Sequence, residues 1–160
     1  MTWSCEKRLA LFGNADIRAA FVASLDAARR RLGFALYAYV VMPEHVHLLV
    51  KPDLEVADGA AIAKGVKAPF ASSVLKRWRE LDAPVLVKIT GADGVTRFWQ
   101  RGGGHDRNVR DREEFDSIVR YVHENPVKRG LVGSAEEWVW SSARWYAGDR
   151  DGGIGIDRVV

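Results

Sequence analysis

Two histidines, His45 and His47, stand two residues apart in an apolar stretch. If that stretch is a strand, both imidazoles leave the same face, because successive side chains alternate. Two neutral imidazoles so placed can grip one divalent ion. Two polar residues on a solvated sheet face would give the same pattern. The apolar neighbours Val46, Leu48 and Leu49 argue for at least partial cover, and a covered imidazole needs a partner. Far downstream, Tyr121 and Asn125 are four residues apart, one turn of a helix. A tyrosine brought to a metal has a chemical use, attack on phosphorus, and the Asn125 carbonyl could complete the metal site. Taken alone, the same two residues also fit an amphipathic boundary tyrosine and an asparagine near a helix end.

Cations surround these groups. Arg101 and Arg107 flank Gly102-Gly103-Gly104, and Lys128-Arg129 follow Asn125 closely. Phosphate contact is expected from these four, although acidic residues are interspersed and a solvated face explains part of the pattern. His105-Asp106 could supply a third ligand if the histidines instead served a small zinc hydrolase. His123 falls on a different side of the helix from Tyr121 and reads as structural or solvent-facing. The late tryptophans Trp138, Trp140 and Trp145 could stack bases, but core is the better reading.

The elements that must position these groups are legible. Asn14 can cap a helix whose stripe runs Ile17, Phe21, Leu25, Ala28 and Leu32, with Arg29-Arg30-Arg31 in its last turn and Gly33 as a stop. Residues 34–41 and 45–50 read as two strands of a hairpin broken by Met42-Pro43-Glu44. In the second strand Val46, Leu48 and Val50 face one side, and His45, His47 and Leu49 the other. A helical stripe follows at Ile62, Val66, Phe70, Val74 and Trp78, with Pro69 expected to kink or split it. Residues 85–90 and 96–100 look like two further strands, followed by a glycine loop at 102–104. Asp111 and Glu114 suggest a capping box for the helix carrying Phe115, Ile118, Val119 and Val122, with Pro126 ending or bending it near Asn125. A loose antiparallel alternation of this kind predicts an α+β fold with helices packed on a sheet.

The totals agree. At 160 residues the chain suits one domain, expected over 1–148, with 149–160 as a loose tail. The single cysteine, Cys5, excludes an intramolecular disulfide and fits a reducing compartment. The apolar run 34–42 is too short to span a bilayer, so a cytoplasmic protein with no membrane partner is expected. A pI near 9.2 leans toward a polyanion partner.

The segment Tyr39-Val40-Val41-Met42-Pro43-Glu44-His45-Val46-His47-Leu48-Leu49 resembles the metal motif of the HUH single-strand DNA transposases. The segment from Tyr121 to Val132 resembles the nucleophile segment of one branch, the REP-associated tyrosine transposases. Phe98-Trp99-Gln100-Arg101 and Glu137-Trp138-Val139-Trp140-Ser141-Ser142 resemble that branch in the expected order. The resemblance implies a ferredoxin-like or RRM-like antiparallel sheet with helices on one face. It implies Mg²⁺ or Mn²⁺ held by His45, His47 and Asn125, with Tyr121 as nucleophile. It implies a partner, single-stranded or hairpin DNA, cut to leave a 5′-phosphotyrosine, by a monomer or homodimer. It also implies a longer first strand than the residues beginning at Thr2-Trp3, and therefore a short sheet edge. A relative that keeps the fold and binds nucleic acid without cutting it is the alternative.

Overall fold

The computed structural model describes residues 1–151 and 153–159. Asn14 opens the first long helix, α1 (Ala15–Leu32), by accepting the Asp16 N–H at 2.7 Å. Gly33 closes it in the left-handed region at φ 68°, where a side chain would be strained. The hairpin follows as β2 (Ala35–Val41) and β3 (His45–Lys51). Asp58 caps α2 (Gly59–Glu80), and Asp111 caps α4 (Arg112–Lys128) by accepting the Glu114 N–H.

Four strands form one sheet in the order β2-β3-β1-β4, where β1 is Thr2–Cys5 and β4 is Trp99–His105. Every neighbouring pair is antiparallel. The chain order β1-α1-β2-β3-α2-β4 with this spatial order is the split βαβ arrangement of ferredoxin-like folds. The α+β class and the antiparallel sheet expected from the sequence are both present.

Helices cover both faces, not one. On the first face Leu36, Tyr39, Val41, Val46 and Leu48 pack with α1 and α2. Phe12 is central there: its ring stacks on Phe70 at 5.6 Å and meets Phe98 edge-on at 5.1 Å. On the second face Ala38, Val40, Met42 and Leu49 pack against Val119 and Val122 of α4. The reason lies in β2, which is apolar at nearly every position and so must be buried on both sides.

Several local expectations change. β1 lies between β3 and β4, so the short first strand is central and not an edge. Pro69 does not divide α2. The carbonyl that it leaves free, on Gly65, accepts from the Arg31 guanidinium at 3.0 Å. Pro126 sits within the last turn of α4, where only two helical residues follow it, and the helix runs on to Lys128. Residues 85–89 form a short helix, α3 (Val85–Ile89), and not a strand. Pro84 precedes α3, where its missing N–H costs nothing, and only a single bridge, Thr90 to Thr96, joins the two flanks of the next turn. Gly102-Gly103-Gly104 is part of β4, paired with β1 through Trp3 and Gly104, and not a loop.

Residues 154–157, placed in the expected loose tail, pack on the fold. Ile154 and Ile156 are buried in the first core. Asp157 exchanges two hydrogen bonds with Leu36 at the free edge of β2 and pairs with Arg29 at 2.8 Å. Residues 140–142 cover the same edge further along: Val41 N–H donates to the Trp140 carbonyl and Ser142 N–H to the Tyr39 carbonyl. Segment 143–146 is a single helical turn, α5 (Ala143–Tyr146). Among the described residues no helix is long and apolar enough to cross a membrane.

Candidate active site

The register between β1 and β3 sets Thr2 opposite His47 and Ser4 opposite His45. Residues paired across strands share a face, so Thr2, Ser4, His45 and His47 all point toward α4. Both histidines are buried. Their Nε2 atoms face each other at 3.0 Å. Each Nδ1 has a partner behind it: the Glu44 carboxylate for His45, at 3.1 Å, and the Thr2 hydroxyl for His47, at 2.7 Å.

These contacts fix the tautomer of His45. A carboxylate only accepts, so His45 Nδ1–H donates to Glu44 and its Nε2 carries a lone pair. His47 Nε2–H then donates to that lone pair, and its Nδ1 accepts from Thr2. A hydroxyl can reverse roles by rotating, so His47 can also donate from Nδ1 and free its own Nε2 lone pair. Burial lowers the His45 pKa, the Glu44 charge and hydrogen bond oppose that, and the cations Arg8 and Arg129 lower it further. Burial and the neighbouring His45 push His47 down to about 3. Both rings are therefore neutral near pH 7, the form that ligates metal.

α4 brings the downstream residues to this pair. Its apolar side rests on β2, and Tyr121 and Asn125 flank that side one turn apart. The Tyr121 and His47 rings meet edge to face with centroids 5.3 Å apart. Tyr121 is about half exposed, so its hydroxyl is open to a large substrate. Asn125 is buried and lines the same cleft, of about 420 Å³, together with both histidines. Among the described residues its side-chain amide has no hydrogen-bond partner. Two converging imidazole nitrogens and a spare amide oxygen fit a divalent ion with room for further oxygen ligands.

The cations divide. Lys128 and Arg129 line the cleft, with Lys128 paired to Glu124 and Arg129 to Glu44, each at 2.9 Å. Arg107 borders a neighbouring cavity shared with His47 and Tyr121 and pairs with Glu114. Arg101 is exposed on the edge strand β4, away from the cleft lining. His105 reaches the cavity beside His47, but among the described residues no group of three His, Cys, Asp or Glu side chains could hold a metal. His123 is buried, with Nε2 2.8 Å from the Ser142 hydroxyl, and serves the fold.

Sequence reasoning missed Thr2, Glu44 and Arg8. Thr2 and Ser4 carry a faint signal, a period-two pair of hydroxyls in β1, but their register to the histidines is a tertiary fact. Glu44 read as part of the break between two strands. Arg8 stands far from either motif, and only the fold brings it near.

No family model matches the chain. It is 30% identical over 115 residues to the REP-associated tyrosine transposase of Escherichia coli K12, covering 71% of this chain and 57% of that protein. It is 25% identical over 109 residues to a Haemophilus influenzae protein given the same family designation, covering 68% and 58%. The chain thus spans less than two thirds of the length of these curated relatives. Its fold matches that of a REP-associated tyrosine transposase solved bound to a REP hairpin, with a TM-score of 0.68 at 19% identity over 99% of this chain and 90% of the other. The chain thus resembles the REP-associated tyrosine transposases in sequence and in fold. Within that fold, the cleft between β1, β3 and α4 is where this chain gathers its chemistry-bearing residues.

Proposed function

We propose that this protein cuts and rejoins single-stranded DNA, with Tyr121 as nucleophile and hairpin-bearing DNA as substrate. One observation carries the reading: residues more than seventy positions apart converge, so that the Tyr121 ring lies 5.3 Å from an imidazole whose Nε2 faces that of His45. The hairpin preference is taken from the related protein solved with a REP hairpin.

His45 and His47, with Asn125, would hold Mg²⁺ or Mn²⁺. Such an ion supplies charge neutralisation on the phosphate oxygens and fixes the scissile bond. Glu44 and Thr2 hold the two rings in place, as partners behind metal-ligating histidines do. The Tyr121 phenol loses its proton and its oxygen attacks phosphorus. An O–P bond forms to tyrosine, the bond from phosphorus to the 3′ oxygen breaks, and that oxygen takes up a proton as a free 3′ hydroxyl. The 5′ end stays linked as phosphotyrosine. Because the link conserves the ester, a later 3′ hydroxyl can reseal a strand without ATP. Lys128 and Arg129 place positive charge along the same cleft and hold the backbone there.

The test incubates labelled single-stranded hairpin DNA with the protein and Mn²⁺ and looks for a protein–DNA band that resists denaturant. The wild type is expected to give the band, and Tyr121→Phe to bind DNA without giving it. A band from Tyr121→Phe removes tyrosine from its role. Binding without any band from the wild type identifies a non-cutting DNA-binding relative.

A further inference from the structure

Resting on the reading above, we infer that Arg8 anchors the DNA phosphate next to the scissile one, at a recess between the β1 turn and the end of α4. Arg8 and Arg129 line two adjoining spaces. One is the cleft holding His45, His47 and Tyr121; the other is a recess of about 410 Å³ with Pro43 and Glu44 in its wall. A strand running from the Tyr121 cleft into this recess would pass along both residues.

The charges separate their roles. Arg129 is compensated by Glu44 and Lys128 by Glu124. Among the described residues Arg8 has no ion-pair or hydrogen-bond partner. The neutral histidines add no charge, so among the described residues Arg8 supplies the single uncompensated positive charge of the cleft wall. A guanidinium free of protein partners can meet a phosphate with paired N–H donors and without first breaking an ion pair.

The backbone points the same way. Lys7 and Arg8 both lie in the left-handed region, at φ 52° and 53°, although neither is glycine or asparagine. The turn is pinned on each side: Glu6 N–H donates to the Phe98 carbonyl, Leu9 N–H to the Glu6 carbonyl, and the Lys7 ammonium to the Lys88 carbonyl at 2.7 Å. Lys7 is thereby directed to α3 and Arg8 to the cleft. Strain held in place by surrounding bonds is a mark of functional positions.

Binding measurements without metal test this apart from the chemistry. Arg8→Asn is the variant of choice, because asparagine tolerates the left-handed conformation. Its melting temperature is expected to equal or exceed that of the wild type, while its affinity for a fluorescent hairpin with a single-stranded flank falls about tenfold. The dependence of log Kd on log salt should lose about 0.7 to 1 of slope, the signature of one lost phosphate contact. Arg8→Lys should recover part of both. A scan that replaces the flanking phosphates one at a time by neutral methylphosphonates should find one position that weakens the wild type but not Arg8→Asn. Equal losses for both proteins at every position, or an unchanged salt slope, overturn the assignment. Should Arg8→Asn melt early, Arg8→Lys and the wild-type scan still decide. Wild-type binding without a covalent band would defeat the cutting mechanism and leave this site standing. A Tyr121-dependent band with an unaffected Arg8→Asn would do the reverse.

Discussion

The edge-to-face contact of Tyr121 with His47, at 5.3 Å between centroids, joins the late helix to the early hairpin. The contact uses the ring, not the hydroxyl. Tyr121→Phe therefore keeps the packing and removes only the oxygen, and because the side chain is about half exposed its effect on stability is expected to stay within about 0.5 kcal/mol. Thermal melting checks this. A large loss would mean that the hydroxyl serves the fold, and a missing covalent product would then say little about chemistry.

The partners behind the histidines give a second prediction. Thr2→Val keeps shape and removes the hydroxyl that meets His47 Nδ1, and Glu44→Gln weakens the acceptor that holds His45. Partners of this kind are worth roughly 10- to 100-fold in metal affinity. Titration calorimetry with Mn²⁺ alone should show each variant at least about tenfold weaker, with melting in metal-free buffer changed little for Thr2→Val. Equal Mn²⁺ affinity in all three proteins would detach Thr2 and Glu44 from any metal role.

Much of this arrangement was legible in the chain. Apolar spacing gave α1, the stripe of α2 and the core face of α4, because long amphipathic helices announce themselves through a 3.6-residue period. The alternation in β3 alone puts His45 and His47 on one face. What the chain hid was set by distant contacts. Residues 85–89 are β-rich in composition yet fold as a helical turn, since a short run yields to its surroundings. Three glycines read as a loop until pairing with Trp3 made them a strand. Ile154 and Ile156 looked like part of a polar, glycine-rich end, because burial of two isolated side chains leaves no period to detect.

His123 gives a prediction in pH. Burial pushes its pKa down to about 4, against about 6.5 for an exposed imidazole. The folded protein thus holds this proton more weakly than the unfolded chain. The stability His123 contributes is fully present above pH 6.5 and is lost as the pH falls toward about 4. That lowering corresponds to about 3 kcal/mol. His45 and His47 titrate in the same direction, so the comparison must be with His123→Gln, which removes one ionisable group and can still meet the Ser142 hydroxyl. Denaturant unfolding at pH 7 and pH 4.5 should show a markedly smaller acid loss in the variant. Parallel losses in the two proteins would mean that His123 does not carry this proton linkage.

Asp157 closes the free edge of β2, and its removal should cost more than a surface carboxylate usually does. Its Oδ2 accepts the Leu36 N–H at 2.8 Å and pairs with Arg29 at the same distance, while its own N–H donates to the Leu36 carbonyl at 2.9 Å. Leu36 is fully buried and lies in the core beneath α1. Asp157→Ala leaves the Leu36 N–H without its acceptor, a loss of about 1 to 3 kcal/mol. The ion pair with Arg29 is partly exposed and adds at most about 1 kcal/mol. Asp157→Asn keeps an acceptor oxygen and removes the charge, so it should recover most of the loss. Hydrogen exchange at the Leu36 amide separates the two contributions: protection should fall sharply in Asp157→Ala and be largely kept in Asp157→Asn. If both variants lose protection equally, the ion pair and not the backbone contact holds this segment to the sheet.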